Sequence, residues 1–257
     1  MKPSKKPVHL SHVFYPFALG KDLRVDLKRL TDQMTEEVVG IARDDDYPFY
    51  DRANRLMTVM ERYKAQYEEI AASTVPSLSN SVYEEVKRLF NDSISKATGR
   101  IFNIPYSERE QTKHAIETMS YYVSFMPDEF MDRIATVLLR EQTGKRHTED
   151  MTFVQALNDA SRGYKKNVTG KVKNVITHIT ANATQDIAIA LDIDRYEWRT
   201  MLDERVVGNP AGRYPHGNSD HGNHWERHGK IFRFSNPPSD GNPGEAINCR
   251  CVAVPMM

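Results

Sequence analysis

Apolar residues recur every three or four positions along most of the first 190 residues, which is the spacing of one buried helix face. The pattern predicts a first helix that begins near Asp22 and ends at the acidic run 44–46. Its apolar positions are Leu23, Leu27, Leu30, Met34, Val38 and Ile41. Asp51 can cap a second helix and Ser79 or Asn80 a third, with Pro76 separating the two.

The helical pattern continues beyond residue 100. Ser107 and Glu110 have the spacing of a capping box, and the helix that they open should stop before Pro127. Asp128 can cap the next helix. Residues 148–160 and 167–191 complete the series, and an interior Gly170 weakens the last helix by about 1 kcal/mol relative to Ala.

The pattern changes near residue 195. From Gly208 to Gly244 the chain holds seven of its 13 glycines and five of its 13 prolines, which excludes a long helix there. Residues 196–200, 230–234 and 250–254 alternate as strands do. The predicted fold is mainly α with a small C-terminal α+β module of short strands and a long Gly/Pro/His loop. The predicted domains are an extended arm over 1–20, a helical domain over 21–127 and a C-terminal domain over 128–257.

Charge and hydropathy narrow the functional classes. The 35 basic and 35 acidic residues cancel, which argues against a dedicated nucleic-acid binder. One basic stretch fits a solvated helix face as well as a DNA contact, and it comprises Arg162, Lys165, Lys166, Lys171 and Lys173. Because the sequence has neither an apolar run of about 20 residues nor a signal-peptide pattern, we expect a cytoplasmic protein without a membrane partner.

Histidines and cysteines cluster in the C-terminal part. The cysteines form a Cys-x-Cys pair that should stay reduced, because its oxidation would close a very small, strained ring. Two interpretations are open. In the first, the thiols are buried beside hydrogen-bonded histidines and the protein has no cofactor. In the second, these residues bind zinc. The candidate ligands are His221, His224, His228, Cys249 and Cys251. If residues 224–228 form a helical turn, the rings of His224 and His228 point the same way.

Trp198 and Thr200 lead into Asp203-Glu204-Arg205-Val206, and after the loop the chain continues through Pro243-Gly244 to Asn248-Cys249-Arg250-Cys251. This order resembles the Mu F-like family of phage head-morphogenesis proteins over roughly residues 195–255. The matched residues are Trp198, Thr200, Asp203, Arg205, Val206, Gly229, Phe232, Pro243, Gly244, Asn248, Cys249, Cys251 and Pro255. The family's histidine has three candidate positions here, because a long loop begins at Val207.

The resemblance implies a non-enzymatic minor head protein. Such proteins assemble in the host cytoplasm and reside inside the virion head near the portal vertex. The implied partners are the portal protein, major capsid or scaffold protein, and packaged double-stranded DNA, with an influence on genome ejection. The alternative function is a metal-dependent hydrolase or nuclease that uses the His/Cys/Asp cluster.

Several of the matched residues have simpler structural interpretations. Asp203 should anchor loop amides, and Arg205 should pair with a carboxylate or a carbonyl. Asn248 and Pro243-Gly244 are typical of turns. Trp198 and Trp225 should pack rather than bind a ligand.

Overall fold

The computed structural model of the chain describes residues 10, 15–99, 103–104, 109–145, 151–217 and 222–257. Most of the predicted arm, the capping residue Ser107, the predicted helix start at Thr148 and the candidate ligand His221 lie outside these residues. A 3-10 helix, Phe17–Gly20, leads into the first α-helix. None of the helices in these ranges is long and apolar enough to cross a membrane.

The chain divides into two compact units that are each assembled from separated stretches. Unit 1 contains residues 1–19, 78–116 and 174–257, and unit 2 contains residues 20–77 and 117–173. The predicted domains 1–20, 21–127 and 128–257 follow chain order, whereas two long helices each contribute to both units.

Unit 2 is helical. Helix α1, Lys21–Arg43, has the predicted bounds and buries the predicted apolar face. Helix α2, Phe49–Thr98, supplies Tyr67, whose hydroxyl lies 2.6 Å from the Thr31 hydroxyl. On α5, Phe153–Ala190, Tyr164 is buried beside Phe130, with ring centroids 5.0 Å apart, and donates a hydrogen bond to the Met126 carbonyl. The buried hydroxyl groups of Thr31, Tyr67 and Tyr164 therefore each have a partner.

The predicted break at Pro76 is wrong, because α2 continues through it. An interior proline costs about 3 kcal/mol, since it removes one backbone hydrogen bond and crowds the preceding turn. The bond lost here is the one to the carbonyl of Ala72, an exposed residue, so water can replace it. Val75, Leu78 and Val82 are buried on either side of the proline and hold the helix together.

Two helix starts also differ from prediction. Helix α3, Glu110–Ser124, is capped by Asp186 of α5, whose carboxylate accepts from the Gln111 and Thr112 amides at 3.0 and 2.8 Å. Helix α4, Met126–Gln142, starts before Asp128, which lies in its first turn rather than at its cap.

The two helices predicted over 148–160 and 167–191 form one helix, α5. It begins at a capping box in which Thr152 and Gln155 exchange side-chain and backbone hydrogen bonds. Neither Gly163 nor Gly170 ends it. Buried side chains along its length, among them Val168, Val172 and Val175, supply the packing that local sequence cannot show.

The C-terminal part of unit 1 contains the predicted strands. Strand β1, Arg195–Arg199, is central and pairs antiparallel with β2, Ile231–Arg233, and with β3, Val252–Pro255. Its inward residues Tyr196 and Trp198 are fully buried. The predicted fold class, mainly α with a small C-terminal α+β module, is confirmed.

Candidate metal centre

Three side chains from the C-terminal part of the chain converge beside β1. His224 opens the four-residue helix α6, His224–Arg227, which is capped by Asn223 through a 3.1 Å bond from the Glu226 amide. Cys249 and Cys251 lie just before β3, after Asn248 takes a left-handed φ of 65°. Both cysteines lie outside β3, because this strand begins at Val252 rather than at the predicted residue 250.

The three side chains form a compact cluster of ligand-type atoms. His224 Nδ1 lies 3.7 Å from Cys249 Sγ and 3.5 Å from Cys251 Sγ. All three atoms lie within 4.8 Å of one another, and all three residues are buried. Both cysteines are free of disulfides and buried, and their sulfur atoms face the His224 ring as metal ligands do.

The other side of the imidazole is held by a buried ion pair. His224 Nε2 lies 3.1 Å from Asp240 Oδ2, and Asp240 receives a 2.7 Å contact from Arg227. The Arg227 guanidinium lies over the Trp198 ring at 4.9 Å, and Trp198 meets His224 edge-on at 5.1 Å between centroids. The ring orientation of His224 is therefore fixed from two sides.

The pKa values of the three side chains shift in different directions. Hydrogen bonding from Cys251, followed by that from His224, lowers the pKa of Cys249 well below its ordinary value. The neighbouring Cys249, together with burial, raises the pKa of Cys251. Burial alone would lower the pKa of His224, but Cys249 and Asp240 outweigh it and raise that pKa. The Gly244 amide also donates to Cys249 Sγ at 3.3 Å, which favours a thiolate.

A cavity of about 450 Å³ opens onto all three side chains. Val206, Tyr214 and Ile247 contribute to its walls, and Arg205, His216 and Arg250 also line it. Beside it, Arg250 makes two 2.7 Å bonds to Asp203, and the Arg205 amide donates to Asp203 at 3.0 Å. The predicted anchoring of a loop amide by Asp203 is thus confirmed, and the guanidinium partner of Asp203 is Arg250.

Of the other two candidate histidines, only His228 is among the described residues, and it lies away from the cluster. His228 follows the end of α6, and its Nδ1 accepts a hydrogen bond from the Thr200 amide at 3.2 Å. The condition for a shared direction of His224 and His228 is therefore not met, because α6 ends at Arg227 and His228 lies outside it. His216 is exposed at the cavity rim.

The remaining matched residues hold the module together. The Gly229 amide donates to the Trp198 carbonyl at 2.8 Å, and Phe232 lies 5.7 Å from the Trp198 ring. Gly244 has a φ of +89°, as its predicted turn requires, and an added Cβ would meet Ala181 Cβ at 2.9 Å. Trp198 is 1% exposed, which confirms its predicted packing role, and Trp225 is half-buried.

The predicted DNA-contact residues are not equivalent. Lys171 is buried, pairs with Glu129 and lies 5.0 Å from the centre of the Tyr122 ring. Lys165 makes a 3.2 Å ion pair with Asp32. Arg162, Lys166 and Lys173 are exposed on α5. The cationic surface available to a polyanion is therefore smaller than the sequence indicates.

Sequence reasoning missed Asp240 and Arg227. Asp240 lies between a Pro-Pro pair and Gly241, where an aspartate is typical of a turn, and Arg227 is one of many charged residues. Only the folded loop brings them to His224. The one local signal is the proximity of Arg227 to His224, one turn of helix apart.

No family model matches the chain, and no solved structure gives a significant match. An uncharacterized protein of Haemophilus influenzae (strain ATCC 51907 / DSM 11121 / KW20 / Rd) is 23% identical over 250 residues. The aligned region covers 91% of this chain and 52% of that protein, so the chain spans about half the length of this relative.

Proposed function

We propose that the chain is a minor head protein of a tailed phage, a structural component of head morphogenesis rather than an enzyme. Its helical part engages the portal protein and the major capsid or scaffold protein. Its C-terminal module lies inside the virion head near the portal, close to packaged double-stranded DNA, and influences genome ejection.

The observation that carries this proposal is the convergence of the residues behind the Mu F-like resemblance. Trp198 fills the space beneath the sheet, Asp203 fastens the loop to Arg250, and Gly244 and Asn248 shape the turns that lead to the cysteines. A set of matched residues that serves one small fold supports a shared structural module. The resemblance then suggests where such a module works.

Purified particles test the proposal directly. We expect mass spectrometry to detect the chain in virions in a few copies, and the purified chain to co-migrate with the portal protein of the same phage. An unrelated helical protein of similar size serves as the control for co-migration. Absence from virions together with no co-migration would overturn the proposal.

The alternative, a metal-dependent hydrolase or nuclease, draws its support from the cavity beside His224 and the cysteines. Against it, the Asp203 carboxylate is occupied by Arg250, whose hydrogen bonds lower the pKa of Asp203 and make it a weaker general base. If Zn²⁺-loaded protein cleaved DNA or peptide, and His224→Ala and Asp203→Ala abolished the cleavage but preserved assembly, the enzyme would replace the head protein as the favoured function.

A further inference from the structure

The distances from His224 Nδ1 to the two sulfur atoms match tetrahedral coordination. Zinc lies about 2.3 Å from a thiolate sulfur and about 2.0–2.1 Å from an imidazole nitrogen, which places sulfur and nitrogen about 3.6 Å apart at a tetrahedral angle. The two sulfur–nitrogen distances here are 3.7 and 3.5 Å. A metal ion could therefore enter with little movement of the ligands.

The surroundings of His224 are those of a metal-bound imidazole. A ligating histidine usually donates its second N–H to a carboxylate, which fixes the ring and makes it a better ligand. Asp240 occupies that position, with a side chain only 5% exposed. Because Asp240 is neutralised by Arg227, the carboxylate can be buried there whether or not a metal is bound.

The surroundings of the cysteine sulfur atoms also suit metal binding. The Gly244 amide donates to Cys249 Sγ at 3.3 Å, which stabilises a thiolate at that position. The Trp198 Nε1 is buried and has no hydrogen-bond partner in the structure. Two thiolates would balance the charge of one Zn²⁺, so the loaded centre would add no net charge to the module's interior.

We infer that His224 Nδ1, Cys249 Sγ and Cys251 Sγ bind one Zn²⁺ ion, and that its fourth position faces the cavity and takes an exchangeable water or small anion. Among the described residues, these three form the cluster with ligand spacing, and the cavity is lined by all of them. Its described lining includes the exposed Arg205 and no acidic side chain, which favours an anionic donor. This inference holds whether or not the chain is a head protein.

Metal analysis of the full chain, purified from zinc-supplemented cells without chelators, is the first test. We expect about one zinc per chain in the wild type, His216→Ala, His221→Ala and His228→Ala. His224→Ala and the double variant Cys249→Ser/Cys251→Ser should lose most of it. No bound zinc in the wild type, even after direct titration with Zn²⁺, would overturn the inference, as would full zinc retention by the double variant.

Because the cysteine variants could fail to fold, the second test uses the wild-type chain. X-ray absorption at the zinc edge should report two sulfur neighbours, with the remaining neighbours nitrogen or oxygen. Zero or four sulfur neighbours would contradict the proposed ligand set.

Cobalt substitution tests the fourth position. The Co²⁺-loaded wild type should show sulfur-to-metal charge-transfer absorption and tetrahedral d–d bands, and azide should shift the d–d bands by replacing the exchangeable ligand. His221→Ala should respond in the same way, because His221 is not assigned as a ligand. Bands that do not respond to saturating azide would overturn the open position.

Discussion

At the scale of single residues, His224 contacts both the two cysteines and Asp240, which are separated from it by 16 or more residues in the sequence. One ring nitrogen faces the thiols near the C-terminus, and the other faces Asp240 in the preceding loop. The chemistry of the cysteines therefore depends on a carboxylate that does not touch them.

Asp240→Asn should weaken zinc binding by about 10- to 100-fold, because an amide accepts the His224 hydrogen bond but lacks the charge that strengthens the imidazole as a ligand. Competition against a chromophoric chelator measures the affinity. The matched control is Asp194→Asn, which removes an exposed partner of Arg233 in the same module and should leave the affinity unchanged. Equal affinities for wild type and Asp240→Asn would show that Asp240 does not support a metal ligand.

Gly222→Ala should destabilise the protein more than Gly229→Ala. Both glycines have positive φ, so each substitution carries backbone strain of about 1–2 kcal/mol. At Gly222 the new Cβ would also meet Arg227 Nη2 at 2.4 Å and Asp240 Oδ2 at 3.0 Å, whereas at Gly229 it meets nothing within 4 Å. Because Arg227 is held in a buried pair, displacing it should cost about 1–3 kcal/mol more. Urea unfolding measures both variants, and equal midpoints would contradict this account.

At the scale of elements, α2 shows a local helix breaker overruled by packing. Pro76→Ala should restore the missing backbone bond and raise the free energy of unfolding by about 1–3 kcal/mol. The control is Pro127→Ala, because Pro127 lies in the first turn of α4, where no intrahelical bond is lost. Urea unfolding should show a gain only for Pro76→Ala. A gain of equal size at both positions would point instead to a general effect on the unfolded chain.

Helix α5 holds the C-terminal loop through His178, whose ring lies 2.8 Å from the Glu245 carbonyl. Burial lowers the pKa of His178, although the Glu245 carbonyl opposes the shift. Between that lowered value and the ordinary pKa of about 6.5, the unfolded chain binds more protons than the folded chain, so stability falls as pH falls through this window.

The variant His178→Gln should therefore lose less stability than the wild type between about pH 7.5 and pH 5.5. Urea unfolding at the two pH values gives the difference, and His216→Gln serves as a control that removes an exposed imidazole outside this contact. A loss in His178→Gln as large as in the wild type would exclude His178 as a source of the pH dependence.

Sequence predicts well those helices and strands whose own spacing of apolar residues specifies their type and bounds. Helix α1 and the three strands lie within about two residues of prediction, because one repeating buried face specifies each. The joined helices α2 and α5 could not be predicted, since burial by distant segments decides whether a proline or glycine ends a helix. The cysteines and His224 were among the candidates, but choosing His224 over His221 and His228 requires the loop path, and Asp240 has no sequence signal beyond a turn.

At the scale of the whole molecule, the distribution of regular structure predicts where a bound metal matters. Unit 2 consists of helical segments with a continuous apolar face, whereas the C-terminal part of unit 1 relies on strands of three to five residues and a four-residue helix. Zinc contributes about 10–16 kcal/mol to small zinc-finger folds, compared with about 5–15 kcal/mol for the total stability of a typical domain.

Removing the metal should therefore loosen one part of the protein selectively. We expect a chelator to increase amide hydrogen exchange over residues 224–233 and 249–256 while exchange in α1 stays unchanged, because α1 is stabilised by its own apolar face. In the Cys249→Ser/Cys251→Ser variant, amide exchange over residues 224–233 and 249–256 should already be fast without a chelator. Adding the chelator should not change it. If exchange rose equally in α1, the metal would be supporting the whole fold; if nothing changed in the wild type, the loop would be held by its hydrogen bonds and ion pairs alone.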